Sequence, residues 1–343
     1  MTTSDALRDN ASSPTGTGTG PVLVTGGTGY LATRLTTDLL LAGTPVRTTV
    51  RSLDRADAVR DAVRRGGADD AELTFTVASL TSGEGWADAA AGVTGVYHLA
   101  SPMIQSQNSD EVVVPARDGA LHVLRAARDA GVPRVVLTSS FAAVGYTPKP
   151  VNTQGAREYD ESDWTSPETP GLPVYPLSKA VAERAAWDFI ESEGGDTELV
   201  VLNPTWVAGP TLTSDARSSL QLFSAMLGGH MAATPRQRFG IADVRDVADA
   251  HRAAMATPGA AGKRYLLLAD GPTTTFLEVA QVLRANLGAL AERVPTEEAP
   301  GDELPPLIIH NERAKAELGF APRPVESTIV ETAESMRDLG MLG

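Results

Sequence analysis

A tyrosine and a lysine stand four residues apart, at Tyr175 and Lys179, near the start of a segment with helical spacing. On a helix, this spacing places both side chains on one face. A nearby ammonium group stabilises a phenolate, so we expect Lys179 to lower the pKa of Tyr175 towards neutral pH. Such a tyrosine can donate a proton to a carbonyl oxygen as hydride reaches the carbonyl carbon. The pair therefore favours a carbonyl-reducing site, whereas a core tyrosine beside a surface lysine is the structural alternative.

Two serines, Ser139 and Ser140, directly follow a predicted strand at 135–138. Side chains at the carboxyl end of a central parallel strand line the crevice in which ligands bind. A hydroxyl group there can hydrogen-bond a substrate carbonyl and stabilise the negative charge that develops on its oxygen. Spacing alone leaves both serines as candidates.

A glycine-rich loop, TGGTGYLA at 25–32, follows the first predicted strand and opens the first predicted helix. Its glycines permit a tight turn and a close approach of the backbone to a pyrophosphate. The amide groups and the positive dipole end of the helix N-terminus attract phosphate. We therefore predict that the loop binds a dinucleotide through Gly26, Thr28, Gly29, Tyr30 and Leu31.

The end of the second predicted strand bears on which dinucleotide is bound. An NAD site usually carries an acidic residue about 20 residues beyond the glycines. Here the chain has Arg51 followed by Ser52, and a guanidinium group suits a 2′-phosphate. We therefore expect NADP(H), with NAD bound through Asp54 as the alternative.

Strand and helix patterns alternate over the first 200 residues and predict a doubly wound parallel α/β sheet. Predicted strands lie at 22–25, 45–50, 73–77, 93–99, 135–138 and 198–202, and the longest helices at 111–130 and 174–192. Beyond Pro204 we expect helices at 211–234 and 243–256, a strand at 265–268 and further helices. This organisation indicates a flexible tail at 1–20, an NADP-binding domain at 21–203 plus 241–269, and a smaller, mostly helical substrate-binding domain at 204–240 plus 270–343.

Composition excludes several classes of protein. The chain has 343 residues, a formal net charge of −14 and no cysteine. The acidic excess argues against nucleic acid or an anionic membrane surface as a partner. The absence of cysteine excludes disulfides and thiolate chemistry, and His98 and His251 lack partners at metal-ligand spacing. We expect a cytoplasmic monomer or homodimer that acts on a small molecule without a metal.

Together, the glycine loop, the Thr138–Ser140 strand end and the Tyr175/Lys179 pair resemble the extended short-chain dehydrogenase/reductase family. Further motifs are similar to its dihydroflavonol reductase, cinnamoyl-CoA reductase and microbial aldehyde/ketone reductase branch, which is related to NAD-dependent epimerases and dehydratases. These motifs are VYHLASPM at 96–103, NPTWVAGP at 203–210 and DVRDVADAH at 243–251.

The resemblance implies a Rossmann-type sheet with a smaller C-terminal substrate domain. It makes Ser140 the catalytic serine, Tyr175 the acid/base and Lys179 its activator and a cofactor contact. It also places Arg51 on the 2′-phosphate and, near the rest of the cofactor, Ala100, Ser101, Pro204 and Val207. Gly145 stands where plant flavonoid enzymes carry a substrate-reading asparagine, so the resemblance does not imply a flavonoid substrate.

The sequence thus predicts an NADPH-dependent reductase that converts aldehydes or ketones to alcohols reversibly. A sugar-nucleotide epimerase or dehydratase with tightly bound NAD is one alternative, and a non-enzymatic NADP-sensing protein is another. Apolar side chains near the motifs are candidates to line the substrate pocket. They are Met103, Phe141, Tyr146, Trp206, Phe223 and Met226.

Overall fold

A computed structural model describes residues 20–102, 108–214 and 219–342. The predicted tail at 1–20, except for Gly20, therefore lies outside the described residues. The candidate pocket residue Met103 also lies outside them. The strands are β1 Val22–Val24, β2 Val46–Val50, β3 Leu73–Val77, β4 Val96–His98, β5 Arg134–Thr138, β6 Arg157–Tyr159, β7 Glu198–Pro204, β8 Trp206–Ala208, β9 Arg238–Phe239, β10 Ile241–Asp243, β11 Arg264–Leu267, β12 Thr274–Thr275 and β13 Leu307–Ile309.

Helices connect most of these strands. They are α1 Tyr30–Leu41, α2 Ala56–Arg65, α3 Trp86–Ala90, α4 Ser109–Asp129, α5 Val174–Glu193, α6 Gln221–Leu227, α7 Val244–Ala256, α8 Phe276–Asn286, α9 Glu312–Leu318 and α10 Val325–Asp338. Within the described residues, no helix is both long enough and apolar enough to cross a membrane.

Seven parallel strands form the central sheet in the order β11-β7-β5-β4-β1-β2-β3. Apolar clusters on its two faces bury side chains from α1, α2 and α7 on one side and from α3, α4 and α5 on the other. Helices on both faces explain why its central strands are almost continuously apolar. The predicted doubly wound, Rossmann-type sheet is confirmed, and its strand order reverses between β1 and β4, where such sheets bind ligands.

A smaller unit, called the cap below, comprises α6, α8 and α10 with the two-stranded pairs β8–β10 and β9–β12. Its apolar cluster also takes in the ring of Tyr30 from the start of α1. Helix α9, within the segment that we assigned to the substrate domain, instead packs beside the central sheet, where Glu317 bonds Lys263. The cap is thus mostly helical, as expected, and adjoins the carboxyl side of the sheet through α1.

Two local expectations differ from the structure. The helix expected at 211–234 is only the seven residues of α6 among the described residues, because Gly228 and Gly229 end it. The predicted helix at 243–256 begins one residue later, since Asp243 ends β10 and accepts a hydrogen bond from the Arg245 amide as the helix cap.

Asp243 also connects two elements of the cap, β10 and α10. The buried hydroxyl group of Thr328 on α10 donates to the Asp243 carboxylate at 2.8 Å. Thr328→Val keeps the side-chain shape but leaves this buried acceptor short of one donor. We expect a loss of about 1–2 kcal/mol in the free energy of unfolding, measured by urea denaturation. Ser327→Ala is the control, since the Ser327 hydroxyl bonds only the helix-start carbonyl of Pro324 in the described residues. Equal losses in both variants would contradict the prediction.

Candidate active site

The glycine loop is held by hydrogen bonds between three strand ends. The Thr25 hydroxyl accepts the amides of Leu99 and Ala100, each at 3.0 Å, which ties β1 to β4. The Gly26 amide donates to the Thr49 hydroxyl at 2.9 Å. Gly26 has a φ of +76°, and an added Cβ would lie 3.0 Å from the Cα of Ala100, so no side chain fits at that turn.

The first turn of α1 offers unpaired amide groups beside this loop. Gly29 precedes the helix without a side-chain cap. Within the described part of the chain, the Tyr30 and Leu31 amides have no acceptor. Free amides at a helix N-terminus bind anions. The Tyr30 side chain is committed elsewhere, because its hydroxyl donates to the Gly209 carbonyl at 2.6 Å; only its backbone is left to meet a ligand.

Two exposed arginines follow β2. Arg51 lies one residue past the strand and Arg55 four residues later, at the end of a short 3-10 turn. Neither forms an ion pair with any residue that the structure describes. The sequence analysis did not single out Arg55. Asp54, the alternative ribose contact, is exposed between them.

Tyr175 and Lys179 both lie in the first two turns of α5, as predicted, and the Lys179 Nζ is 5.9 Å from the centroid of the Tyr175 ring. Desolvation lowers the pKa of Lys179 to about 8. Burial also raises the pKa of Tyr175, against a hydrogen bond from Ser140 that lowers it. Tyr175 keeps 36% of its surface accessible, so we attribute this burial to the hydroxyl end of the side chain. The direction of the shift is opposite to the expected lowering of the Tyr175 pKa, because desolvation outweighs the effect of Ser140.

The two serines after β5 are distinguished by their partners. The buried Ser139 hydroxyl donates to the Glu183 Oε2 at 2.5 Å. Ser140 lies next to the Tyr175 hydroxyl, and its Oγ also accepts the Ala142 amide at 3.1 Å. The geometry brings Ser140, and not Ser139, to the phenol. The partner Glu183 was not recognised in the sequence, where it reads as one more charge on a helix.

The two histidines considered for metal binding are buried and neutral. His98 accepts the Thr25 hydroxyl at 2.8 Å, and burial together with the Lys179 charge lowers its pKa to about 3. His251 donates from Nδ1 to the Val247 carbonyl at 2.7 Å, so its Nε2 accepts the Thr138 hydroxyl at 2.6 Å. Burial lowers the pKa of His251 to about 4. The His98 ring thus joins the ends of β1 and β4, and the His251 ring joins α7 to the end of β5.

The cofactor contacts implied by the resemblance lie at neighbouring strand ends. Ala100 is half-buried beside Gly26, and Ser101 is exposed after it. Pro204 is the buried last residue of β7, and Val207 is half-buried in β8. β5 ends two residues before Ser140 and lies between β4 and β7. These residues therefore lie together at the carboxyl end of the central strands.

The candidate pocket residues divide into two groups. Phe141, Tyr146 and Trp206 are half-buried, and the side chain of Gln237 interacts with the Tyr146 hydroxyl. Phe223 and Met226 are fully buried in the cap core, so they cannot line an open pocket. This corrects the prediction: α6 turns these side chains inwards, and the Phe223 ring supports Trp206 by stacking at 5.1 Å.

Two aromatic side chains that pack against Trp206 were not predicted from the sequence, because they lie far from Trp206 along the chain. Phe239 and Phe276 each meet the Trp206 ring edge-on, with centroids 5.1 and 5.6 Å away. All three are half-buried. The cap therefore presents an aromatic surface next to Val207.

Comparisons with known proteins agree with this arrangement. The family model described as the NAD dependent epimerase/dehydratase family matches residues 22–267. Cinnamoyl-CoA reductase CAD2 of Medicago truncatula is 32% identical over 323 residues, covering 92% of this chain and 95% of that protein. Ketoreductase azaE of Aspergillus niger is 31% identical over 335 residues, covering 92% of this chain and 97% of that protein.

A solved structure, yeast methylglyoxal/isovaleraldehyde reductase Gre2 complexed with NADPH, is also similar. Its TM-score is 0.79 at 25% identity, and the match covers 94% of this chain and 99% of Gre2. Together these matches confirm the resemblance that the sequence motifs indicated.

The lowered pKa of Lys179 has a consequence for stability. Below pH 8 the folded protein holds a desolvated ammonium; between pH 8 and about 10.5 the unfolded chain keeps a proton that the folded chain has released. The free energy of unfolding should therefore rise with pH over this interval. Lys179→Met should stabilise the protein by on the order of 1–3 kcal/mol at pH 7, and the difference from wild type should shrink towards pH 10.

Chemical denaturation at pH 7 and pH 9.5 tests this expectation. Lys263→Met is the matched control, because Lys263 is half-exposed and bonded to Glu317 at 2.7 Å. We expect no stabilisation there. A Lys179→Met protein that is less stable than wild type at pH 7 would show that the ammonium group stabilises the fold.

Proposed function

Because the chain belongs to the NAD-dependent epimerase/dehydratase family, we propose that it is an NADPH-dependent carbonyl reductase that converts aldehydes or ketones to alcohols reversibly. The observation that carries this proposal is the Tyr175/Lys179 pair on the first two turns of α5, with the Lys179 Nζ 5.9 Å from the centroid of the Tyr175 ring and the Ser140 side chain acting on the phenol. The names of the relatives support a reductase, since they include a cinnamoyl-CoA reductase, a ketoreductase and a reductase complexed with NADPH.

The strand ends and the start of α1 fit NADPH. A side chain at Gly26 would fill the turn, and the unpaired amides of Tyr30 and Leu31 can bind the pyrophosphate together with Thr28 and Gly29. Arg51, assisted by Arg55, can bind the 2′-phosphate, as bidentate guanidinium groups do. The remaining contacts of this proposal are Ala100, Ser101, Lys179, Pro204 and Val207. When bound, NADPH supplies the hydride.

Proton transfer is the task of Tyr175. Because burial raises its pKa, the phenol is protonated at neutral pH and can donate its proton to the carbonyl oxygen. Ser140 lies beside the phenol, so its hydroxyl can hydrogen-bond the same oxygen as negative charge develops. After the transfer, the Lys179 ammonium stabilises the phenolate, which compensates for the desolvation of both groups.

The pocket favours a substrate with an apolar part. Tyr146 interacts with Tyr175 through its charge. We propose that Tyr146 and Phe141, together with the aromatic surface of Trp206, Phe239 and Phe276, line the pocket. At Gly145, an added Cβ would lie 2.1 Å from the Phe141 ring, so a larger residue would displace that ring. The Phe141 ring thus occupies the space that a side chain at position 145 would need.

Tyr175→Phe removes the proton donor and keeps the ring. We expect kcat to fall at least about 100-fold, with the Kd for NADPH unchanged within about 2-fold. The decrease in NADPH absorbance with aldehydes, ketones and β-keto esters measures turnover, and fluorescence titration measures the Kd. Tyr97→Phe is the control, because that ring is buried in the apolar cluster on the face of the sheet opposite α5. Turnover close to wild type, inactivity of wild type on every carbonyl compound, or purification with tightly bound NAD would reject the proposal.

Arg51→Ala removes one of the two guanidinium groups proposed for the 2′-phosphate. We expect the KM for NADPH to rise about 10–100-fold and the KM for NADH to change less than about 3-fold, because NADH lacks that phosphate. Arg55→Ala should have the same direction and a smaller effect. Arg337→Ala, at the exposed end of α10, serves as a control for the loss of surface charge. Equal changes for both nucleotides would contradict the role.

A further inference from the structure

A buried carboxylate, Glu183, lies one helical turn beyond Lys179 on α5 and joins three strands. Its Oε2 accepts the Ser139 hydroxyl of the β5 end at 2.5 Å and the Asn203 Nδ2 of β7 at 2.8 Å. Its Oε1 accepts the Nε of Arg264 on β11 at 2.5 Å. A single side chain therefore connects α5 to the carboxyl half of the sheet.

Arg264 extends this connection to the loop before α5. Its Nη1 donates to the backbone carbonyls of Glu161 and Asp163 at 2.9 and 2.8 Å. Its guanidinium group lies 3.8 Å from the centroid of the Trp164 ring. Arg264 is only 7% exposed and Glu183 only 1%, so solvent has little access to the pair.

The cost of such a pair indicates a role other than stability. Removing a carboxylate and a guanidinium group from water is unfavourable, and apolar residues of similar size often stabilise a fold at least as well. Two of the hydrogen bonds of Glu183 instead involve residues that contact Ser140. Ser139 directly precedes it, and the Asn203 Nδ2 that bonds Glu183 also donates to the Ser140 carbonyl at 3.2 Å.

We propose that Glu183 is the positioning residue of the site: it holds the Ser140 backbone beside Tyr175 through Ser139 and Asn203, and it places a negative charge one helical turn from the Lys179 ammonium. The inference rests on the proposed reductase activity and adds a residue that touches neither substrate nor cofactor. Its two parts, position and charge, can be measured separately.

The charge part follows from what surrounds Lys179. The ammonium faces Tyr175 and Glu183 on its own helix and the neutral His98 on β4. The negative charge of Glu183 raises the pKa of Lys179, against the desolvation that lowers it. Neutralising Glu183 should therefore let Lys179 lose its proton at a lower pH.

Glu183→Gln keeps the size of the side chain and removes its charge. We expect kcat to fall about 10–100-fold, while the KM for the carbonyl substrate and the Kd for NADPH stay within about 3-fold. The alkaline limb of the pH profile of kcat should move to lower pH by about half a unit or more. Glu191→Gln, the same substitution on an exposed part of α5, should change neither kcat nor the pH limb.

Ser139→Ala tests the position part with both buried charges retained, and it decides the matter if Glu183→Gln does not fold. We expect kcat to fall about 3–10-fold with the alkaline limb unchanged. An unchanged kcat in Ser139→Ala, or a Glu183→Gln protein that is folded with wild-type kcat and pH profile, would overturn the inference. If Tyr175→Phe still abolishes turnover, that result leaves the proposed reductase function standing; an active Tyr175→Phe protein would instead reject the function itself.

Discussion

Burial drives Lys179 and Tyr175 towards their neutral forms, and the site depends on the balance between this desolvation and the charges nearby. Desolvation lowers the pKa of Lys179 to about 8 and raises the pKa of Tyr175. A phenol that stays protonated is a proton donor, whereas an ammonium group near its titration range must be kept charged by its surroundings. Glu183 supplies a negative charge for that purpose, and the hydrophobic clusters on both faces of the sheet stabilise the arrangement.

Two buried histidines near the strand ends stay neutral, and the one that interacts with Lys179, His98, adds no competing positive charge. His98 and His251 bond strand ends as neutral rings, with pKa values lowered to about 3 and about 4. Successive residues at the end of β5 also bond to opposite layers: the Thr138 side chain meets His251 of α7, and the Ser139 side chain meets Glu183 of α5. Alternation along a strand explains this division. Ser140, just past the strand, is thereby held from both sides.

Features that depend on local spacing could be predicted from the sequence, and features that depend on distant packing could not. The Tyr175/Lys179 pair and the glycine loop are set by one helix and one strand-to-helix turn, so their patterns were sufficient. The choice between Ser139 and Ser140 depends on which side chain reaches Tyr175 and which reaches Glu183, and no local pattern in the sequence states this. Arg264 lies 81 residues from Glu183, and only the sheet order brings β11 next to β7.

The same limit explains the errors in the cap, where the apolar side chains of Phe223 and Met226 read equally well as pocket or core. Their burial is decided by α8 and α10, which pack against α6 from far along the chain. Similarly, the direction of the Tyr175 pKa shift depends on how much water the fold removes. Spacing can indicate a neighbouring cation, but it does not measure desolvation.

Helix α1 links the phosphate-binding end of the sheet to the cap, and this link constrains how the substrate wall is placed. The ring of Tyr30 sits in the cap core, and its hydroxyl bonds the Gly209 carbonyl. Gly209 has a φ of +119°, and its amide donates to the Thr332 hydroxyl of α10. Trp206, three residues earlier, is therefore fixed relative to the first turn of α1 by packing and hydrogen bonds. The unpaired amides of that turn and the aromatic surface of the cap are consequently connected through Tyr30 and Gly209.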